Sequence, residues 1–116
     1  MTPKDIGARL VELLKSGDYE TIYAEHYSPE AASVEADGTG SVGLDQIAKK
    51  NEWWFGAHEV HGFEIADWYP SSRGFVVIYD LDFTEKASGN RHNFREAGVY
   101  TVQDGKIVRE EFYYHT

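Results

Sequence analysis

The chain has 116 residues, enough for one domain (1–116) with a substantial core. A formal net charge of −9 argues against a nucleic-acid partner or an anionic membrane surface, and the lack of cysteine excludes a disulfide framework. No apolar run is long enough for a signal h-region or a membrane span, so a soluble cytoplasmic protein is expected.

The first helix is announced by Thr2 as N-cap, Pro3 at the first helical position and Asp5 three residues after the cap. Ile6, Leu10, Leu13 and Leu14 make its apolar stripe, and Gly17 stops it. Asp18 caps a second, short helix through Ile22 and Tyr23 that ends before Pro29. Ser33–Ala36 is a brief strand closed by an Asp-Gly-Thr-Gly loop. A third helix covers Leu44–Phe55, with Leu44, Ile47, Ala48, Trp54 and Phe55 on one stripe and Asn51 completing the spacing. Ser41, near its start, has the place of a cap.

The pattern then changes to alternation. Glu59–Tyr69 is a strand ended by Pro70-Ser71-Ser72. In Phe75–Glu85, Phe75, Val77, Tyr79, Leu81 and Phe83 share one face, and Val76, Ile78, Asp80, Asp82 and Thr84 share the other. Phe94–Tyr114 is a long hairpin around Gln103-Asp104-Gly105. A two-residue turn pairs Val102 with Ile107 and mixes apolar and charged residues on both faces. A three-residue turn with Gly105 as bulge residue pairs Val102 with Lys106 and sorts them better, and is preferred. It puts Glu96, Tyr100, Val108, Glu110, Phe112 and Tyr114 on one face. Ala97, Val99, Ile107 and Tyr113 fall on the other, with Arg95 diagonal to Glu111. Helices followed by four long antiparallel strands make an α+β domain.

Ser16-Gly17-Asp18 at the end of the first helix, the strand SVEAD, the helix opening GLDQI and the hairpin QDGKI resemble the SnoaL-like branch of the nuclear transport factor 2-like (NTF2-like, cystatin-like) superfamily. The resemblance implies a strongly curved antiparallel sheet wrapped by three N-terminal helices into a cone with a cavity. It also places this chain beside ketosteroid isomerase, polyketide cyclases, dehydratases and binding domains, so fold alone leaves function open. The isomerase's general base corresponds to Ala36, with Asp37 one residue beyond. Its oxyanion tyrosine falls on Leu10, and its protonated carboxyl partner near Gly98 or Val99. That chemistry in its familiar arrangement is excluded, and the loss at Ala36 weakens the cyclase chemistry as well.

The polar residues on pocket-facing positions are the remaining candidates. Glu96 and Glu110 are acid–base candidates if desolvated among Tyr100, Phe112 and Tyr114, and plain solvated rim residues otherwise. His61 alternates with Phe63 and Ile65 and is a third catalytic candidate, with a surface role as its alternative. Asn51, Trp54, Tyr79, Tyr100, Phe112 and Tyr114 are the ligand-binding candidates. Trp53 and Trp54 cannot both face the core, so one meets a partner or closes the mouth of the cavity. His58 and His61 point to opposite faces of a strand, so no metal site is expected, and no cofactor is implied.

Two function classes follow. One is a small enzyme performing isomerase-, cyclase- or dehydratase-like acid–base chemistry on a small apolar or aromatic, oxygen-bearing molecule. The other is a non-catalytic binding or accessory protein with the same cavity. A pure protein-interaction domain would fill the aromatic face and leave no cavity. Val76, Ile78, Ala97, Val99, Ile107 and Tyr113, left uncovered if the helices take the concave face, point to a homodimer through the convex face of the sheet.

Overall fold

The computed structural model describes residues 1–114. Helix α1 (Pro3–Ser16) opens on the expected capping box: Asp5 N–H donates to Thr2 Oγ1 (3.2 Å), and Thr2 N–H donates back to Asp5 Oδ2 (3.0 Å). It closes on Gly17, whose φ of 74° is the left-handed conformation of a helix end. Helix α2 (Tyr19–His26) is capped by the Asp18 carboxylate, which accepts from Thr21 N–H. Helix α3 spans Leu44–Ala57.

The described residues form six strands, two before α3 and four after it: β1 (Tyr27–Val34), β2 (Gly40–Val42), β3 (His58–Pro70), β4 (Gly74–Glu85), β5 (Arg91–Gln103) and β6 (Lys106–Tyr114). They form one sheet in the order β2-β1-β6-β5-β4-β3. Every junction is antiparallel except β1–β6, which is parallel. The α+β cone expected from the sequence is therefore present, with one parallel seam where the chain's first strand meets its last.

Several boundaries differ from expectation. Strand β1 starts at Tyr27, six residues before the expected Ser33, and runs straight through Pro29. The β1–β6 register shifts between Tyr27 and Ala32, so the proline, which has no N–H to give, sits where no ladder bond is required. Ser41 is not a helix cap. It belongs to β2, opposite Ser33, and α3 is instead entered through Gly43 at φ 96°, with no side-chain cap bond.

The β5–β6 hairpin corrects the preferred register. Val102 pairs with Ile107 across a two-residue turn in which Asp104 (φ 52°) and Gly105 (φ 75°) are both left-handed, the geometry that matches strand twist. A bulge then intervenes, for Thr101 pairs with Arg109 and leaves Val108 extra. The bulge restores the sorting that the simple two-residue register lacked. Glu96, Gly98, Tyr100, Glu110 and Phe112 share the inner face, and Ile107, expected outside, is fully buried inside. Arg95 accordingly does not reach Glu111. It forms a two-pronged ion pair with Asp80 (2.8 and 3.1 Å), its partner across β4–β5.

The core lies between the helices and the inner face of the sheet. Ile6, Leu10, Ile22, Ile47, Phe75, Val77 and Ile107 are essentially inaccessible to water. Each contributes roughly 1.5–3 kcal/mol by burial. Gly7 allows α1 to approach the sheet this closely: a Cβ there would stand 2.8 Å from Trp68 and 2.9 Å from Phe75. Among the described residues, no helix is long and apolar enough to cross a membrane.

Candidate functional site

One side of the core is polar. Tyr27, at the start of β1, is buried, and its hydroxyl donates to Glu110 Oε2 at 2.6 Å. Glu110 is only 5% exposed, in register with Tyr100 on β5 and with Ser33 on β1. The Tyr79 and Tyr100 hydroxyls lie 2.5 Å apart and bond to each other. Gly98 makes room for them, since a Cβ at that position would lie 3.0 Å from both rings. On the helical side Asn51 Nδ2 donates to the Tyr23 hydroxyl. The Tyr23 ring packs edge-on against Tyr27, with centroids 5.3 Å apart.

Lys50 joins the two layers. Its Nζ donates to Ser33 Oγ (2.5 Å) and to Glu35 Oε1 (2.7 Å), and lies 5.6 Å from the centre of the Phe112 ring. Phe112 meets Tyr100 edge-on at 6.3 Å, which completes the circle.

Burial dominates the electrostatics. It pushes the Glu110 carboxyl above its ordinary range, against the opposing pull of the Tyr27 hydrogen bond and of Lys50. Burial likewise raises Glu96, to about 7, with Glu35 adding to the effect and Lys50 opposing it. Tyr23 is raised to about 12 by burial and by the nearby Glu110. The two glutamates differ in one respect: Glu110 is held by the Tyr27 hydrogen bond, whereas among the described residues the Glu96 carboxyl receives none.

Of the sequence-derived candidates, Asn51, Tyr79, Glu96, Tyr100, Glu110 and Phe112 come together in this one layer. Glu96 is placed there by its register with Tyr79 and Tyr114. Trp54 and Tyr114 lie in an aromatic tier beside it. Trp54 stacks on His58 (4.4 Å) and meets Phe83 edge-on (5.1 Å), and Tyr114 packs on Phe94 (5.1 Å). Trp53, by contrast, is 67% exposed on the outer side of α3, where Lys49, Glu52, Gly56 and Ala57 surround a shallow depression.

His61 does not join the layer. Val60 pairs with Phe83 and Gly62 with Asp82, so His61 is the extra residue of a bulge. The alternation with Phe63 that pointed it inward is broken there. The ring is exposed, with Nε2 2.7 Å from the hydroxyl of Thr84 on the outer face.

Four members of the layer escaped the sequence reading: Tyr27, Ser33, Glu35 and Lys50. Ala31, Ser33 and Glu35 alternate, a signal masked by the small side chains and by Pro29. Lys50 lies three residues after Ile47 and four before Trp54, on the stripe that drew attention to Asn51.

A curved sheet closed on one side by three helices, with a polar layer inside, defines the NTF2-like class, and solved structures agree. A provisionally assigned SnoaL-like polyketide cyclase [carbohydrate phosphatase] from Mesorhizobium loti is 37% identical, with 98% of this chain and 100% of that one covered at a TM-score of 0.91. An NTF2-like protein from Burkholderia thailandensis (19% identity, 99% and 92% covered, TM-score 0.85) shares the fold. So does a protein of ketosteroid isomerase-like fold from Catenulispora acidiphila, solved with trimethylamine (16% identity, 98% and 87% covered, TM-score 0.75). No curated protein matches the chain. The profile of the SnoaL-like domain matches residues 1–114, and the chain belongs to that family.

Proposed function

We propose that this SnoaL-like protein binds a small apolar or aromatic, oxygen-bearing molecule against the polar layer and that Glu96 acts on it as a general acid–base. The carrying observation is the state of Glu96: desolvated, free of any protein hydrogen bond among the described residues, and titrating at about 7. A carboxyl in that state takes up or gives up a proton at neutral pH without first breaking a bond to the protein. Glu110, hydrogen-bonded to Tyr27, serves as the fixed acid beside it. Asn51, Tyr79, Tyr100 and Phe112 line the site, and Trp54 and Tyr114 close its aromatic end. Reaction classes compatible with such a pair are isomerisation, cyclisation and dehydration.

The test is hydrogen–deuterium exchange α to the carbonyl of small aromatic and terpenoid ketones in D₂O, followed by proton NMR. Wild-type protein should accelerate exchange for at least one ketone, and Glu96→Gln should lose that acceleration while keeping the fold. Acceleration by no ketone, or full acceleration by Glu96→Gln, would sink the reading. A binding or accessory role is the second reading, favoured by the Tyr79–Tyr100 pair, whose hydroxyls already satisfy each other. It predicts a bound ketone without exchange.

The proposal extends to assembly as a homodimer through the convex face. Val76 lies beside Val99 there, and Ile78 beside Ala97, which is itself beside Tyr113. The bidentate pairs Arg91–Asp82 and Arg95–Asp80 flank this apolar strip with both charge signs. A cytoplasmic location accords with the cysteine-free sequence.

A further inference from the structure

Ser33 holds a fully buried hydroxyl between two charged side chains. It accepts a hydrogen bond from Lys50 Nζ at 2.5 Å. An oxygen that accepts from an ammonium has its own proton free for another partner, and a buried hydroxyl needs one. The group placed to take it is Glu110, in register with Ser33 across the parallel β1–β6 seam and, like it, buried. Glu110 in turn accepts from Tyr27. At the other end, Lys50 is held at 2.7 Å by Glu35, and their side chains are 23% and 38% exposed. A line of polar groups thus runs from water at Lys50–Glu35 through Ser33 to its register neighbour Glu110, a carboxyl that is itself almost closed off.

We propose that Lys50 and Ser33 form a proton inlet that recharges Glu110 from solvent without opening the core. With Glu110 ionised, Ser33 gives its hydroxyl proton to the carboxylate and takes one from the Lys50 ammonium. The Lys50 amine so formed takes a proton from a solvent water, whose hydroxide is released to bulk solvent. One proton has then entered, the Ser33 O–H is restored and Lys50 is again an ammonium, still paired with Glu35. Lysine suits this task because it can release its proton, whereas an arginine would keep it. The charged and titratable groups facing Glu110 are Tyr27 on β1, Glu35 beyond it, Lys50 on α3, Tyr23 on α2, Tyr79 on β4, and Glu96 and Tyr100 on β5. Only Lys50 and Glu35 among these connect it to the surface through Ser33. The parallel seam is what allows the arrangement, since it brings Ser33 level with Glu110 beneath α3.

The catalytic use of this inlet rests on the proposed acid–base function, but its existence does not, so the test reads no turnover. In protein labelled with ¹³C at tyrosine Cζ, solvent exchange of individual hydroxyl protons is measured by NMR in mixed H₂O and D₂O. Exchange at Tyr27 proceeds through Glu110, and Ser33→Ala should slow it by at least about tenfold. Lys50→Arg preserves the positive charge but cannot pass a proton, and should slow it similarly. The Tyr79 and Tyr100 hydroxyls, off this line, are internal controls and should not change. An unchanged Tyr27 rate in both variants would overturn the proposal. So would equal slowing at Tyr79 and Tyr100, which would report tighter packing instead of a lost path. Should Ser33→Ala fail to fold, Lys50→Arg at its more accessible position decides alone. Loss of ketone exchange in Glu96→Gln is scored separately, so either idea can fail without the other.

Discussion

Replacing Glu96 by Gln removes an ionisable group at nearly constant volume, and the structure sets the size of the effect. Burial raises the Glu96 carboxyl from an ordinary 4.5 to about 7. Below about pH 4.5 the group is protonated in the folded and unfolded chain alike and contributes nothing to the difference between them. As pH climbs toward 7, the unfolded chain releases this proton while the folded chain keeps it, so stability falls. Above about pH 7 both forms are ionised, and the folded state carries the whole penalty. At about 1.4 kcal/mol per pH unit, that penalty is roughly 3 kcal/mol. Glutamine mimics the protonated form and never incurs it. In urea unfolding, Glu96→Gln and wild type should therefore be alike near pH 4.5. At pH 8.5 the variant should be more stable, its midpoint higher by about 1–2 M. Stability gained where activity is lost is the signature of a site kept under strain for function. A variant no more stable than wild type at pH 8.5, or a gap independent of pH, would refute the claim that Glu96 is desolvated.

Three further outcomes follow. Gly98→Ala forces a Cβ to 3.0 Å from the Tyr79 and Tyr100 rings and should lower stability by roughly 1–3 kcal/mol in the same urea assay. Tyr27→Phe removes the donor to Glu110 Oε2, so the Glu110 carboxyl should titrate higher by ¹³C NMR. Its cost, about 1–3 kcal/mol, should appear at high pH, where Glu110 is ionised, and shrink as pH falls. Val99→Asp, in the middle of the convex strip, should turn a dimer into a monomer in sedimentation at micromolar concentration, whereas a wild-type monomer ends that part of the proposal.

Where one periodicity governed an element, its sequence was enough to place it. Helix α1 shows its capping box and Gly17 stop in plain order, and β4 buries Phe75, Val77, Tyr79, Leu81 and Phe83 while half-exposing the residues between. The hairpin shows how a correct criterion can reach the right faces by the wrong device. Sorting of apolar and charged residues selected the proper inward set for Glu96, Tyr100, Glu110 and Phe112. The sorting is achieved by a bulge at Val108 one step beyond the turn, however, and a bulge has no residue signature of its own. A second bulge turned His61 outward for the same reason. Strand β2, with three residues, is too short for any period to show. Tyr27 was hidden by Pro29, because a proline's effect on a strand depends on whether the neighbouring strand needs its N–H, which is tertiary information. A lysine on a helix stripe usually reaches for water, so Lys50 gives no signal of its own; here Glu35 and Ser33 hold it.

The three positions that the resemblance assigns to isomerase chemistry carry no polar side chain here. Leu10, at the tyrosine position, is buried in the core, and Ala36, at the base position, is exposed in the loop after β1. Gly98, at or next to the place of the protonated carboxyl, is the instructive one. A side chain there would crowd the two tyrosines whose hydroxyls meet at 2.5 Å, so a carboxyl at 98 would require the Tyr79–Tyr100 pair to shift. Gly98 pairs with Phe112. The adjacent inward pairs on either side are Glu96 with Tyr114 and Tyr100 with Glu110. Each brings one carboxylate and one tyrosine, placed on opposite strands. The two carboxyls therefore flank Gly98 along the hairpin, one without a protein hydrogen bond among the described residues and raised to about 7, one held by Tyr27. In the proposed reaction a base that must move a proton and an acid that must hold still would require different restraint, and the hairpin offers one carboxyl of each kind.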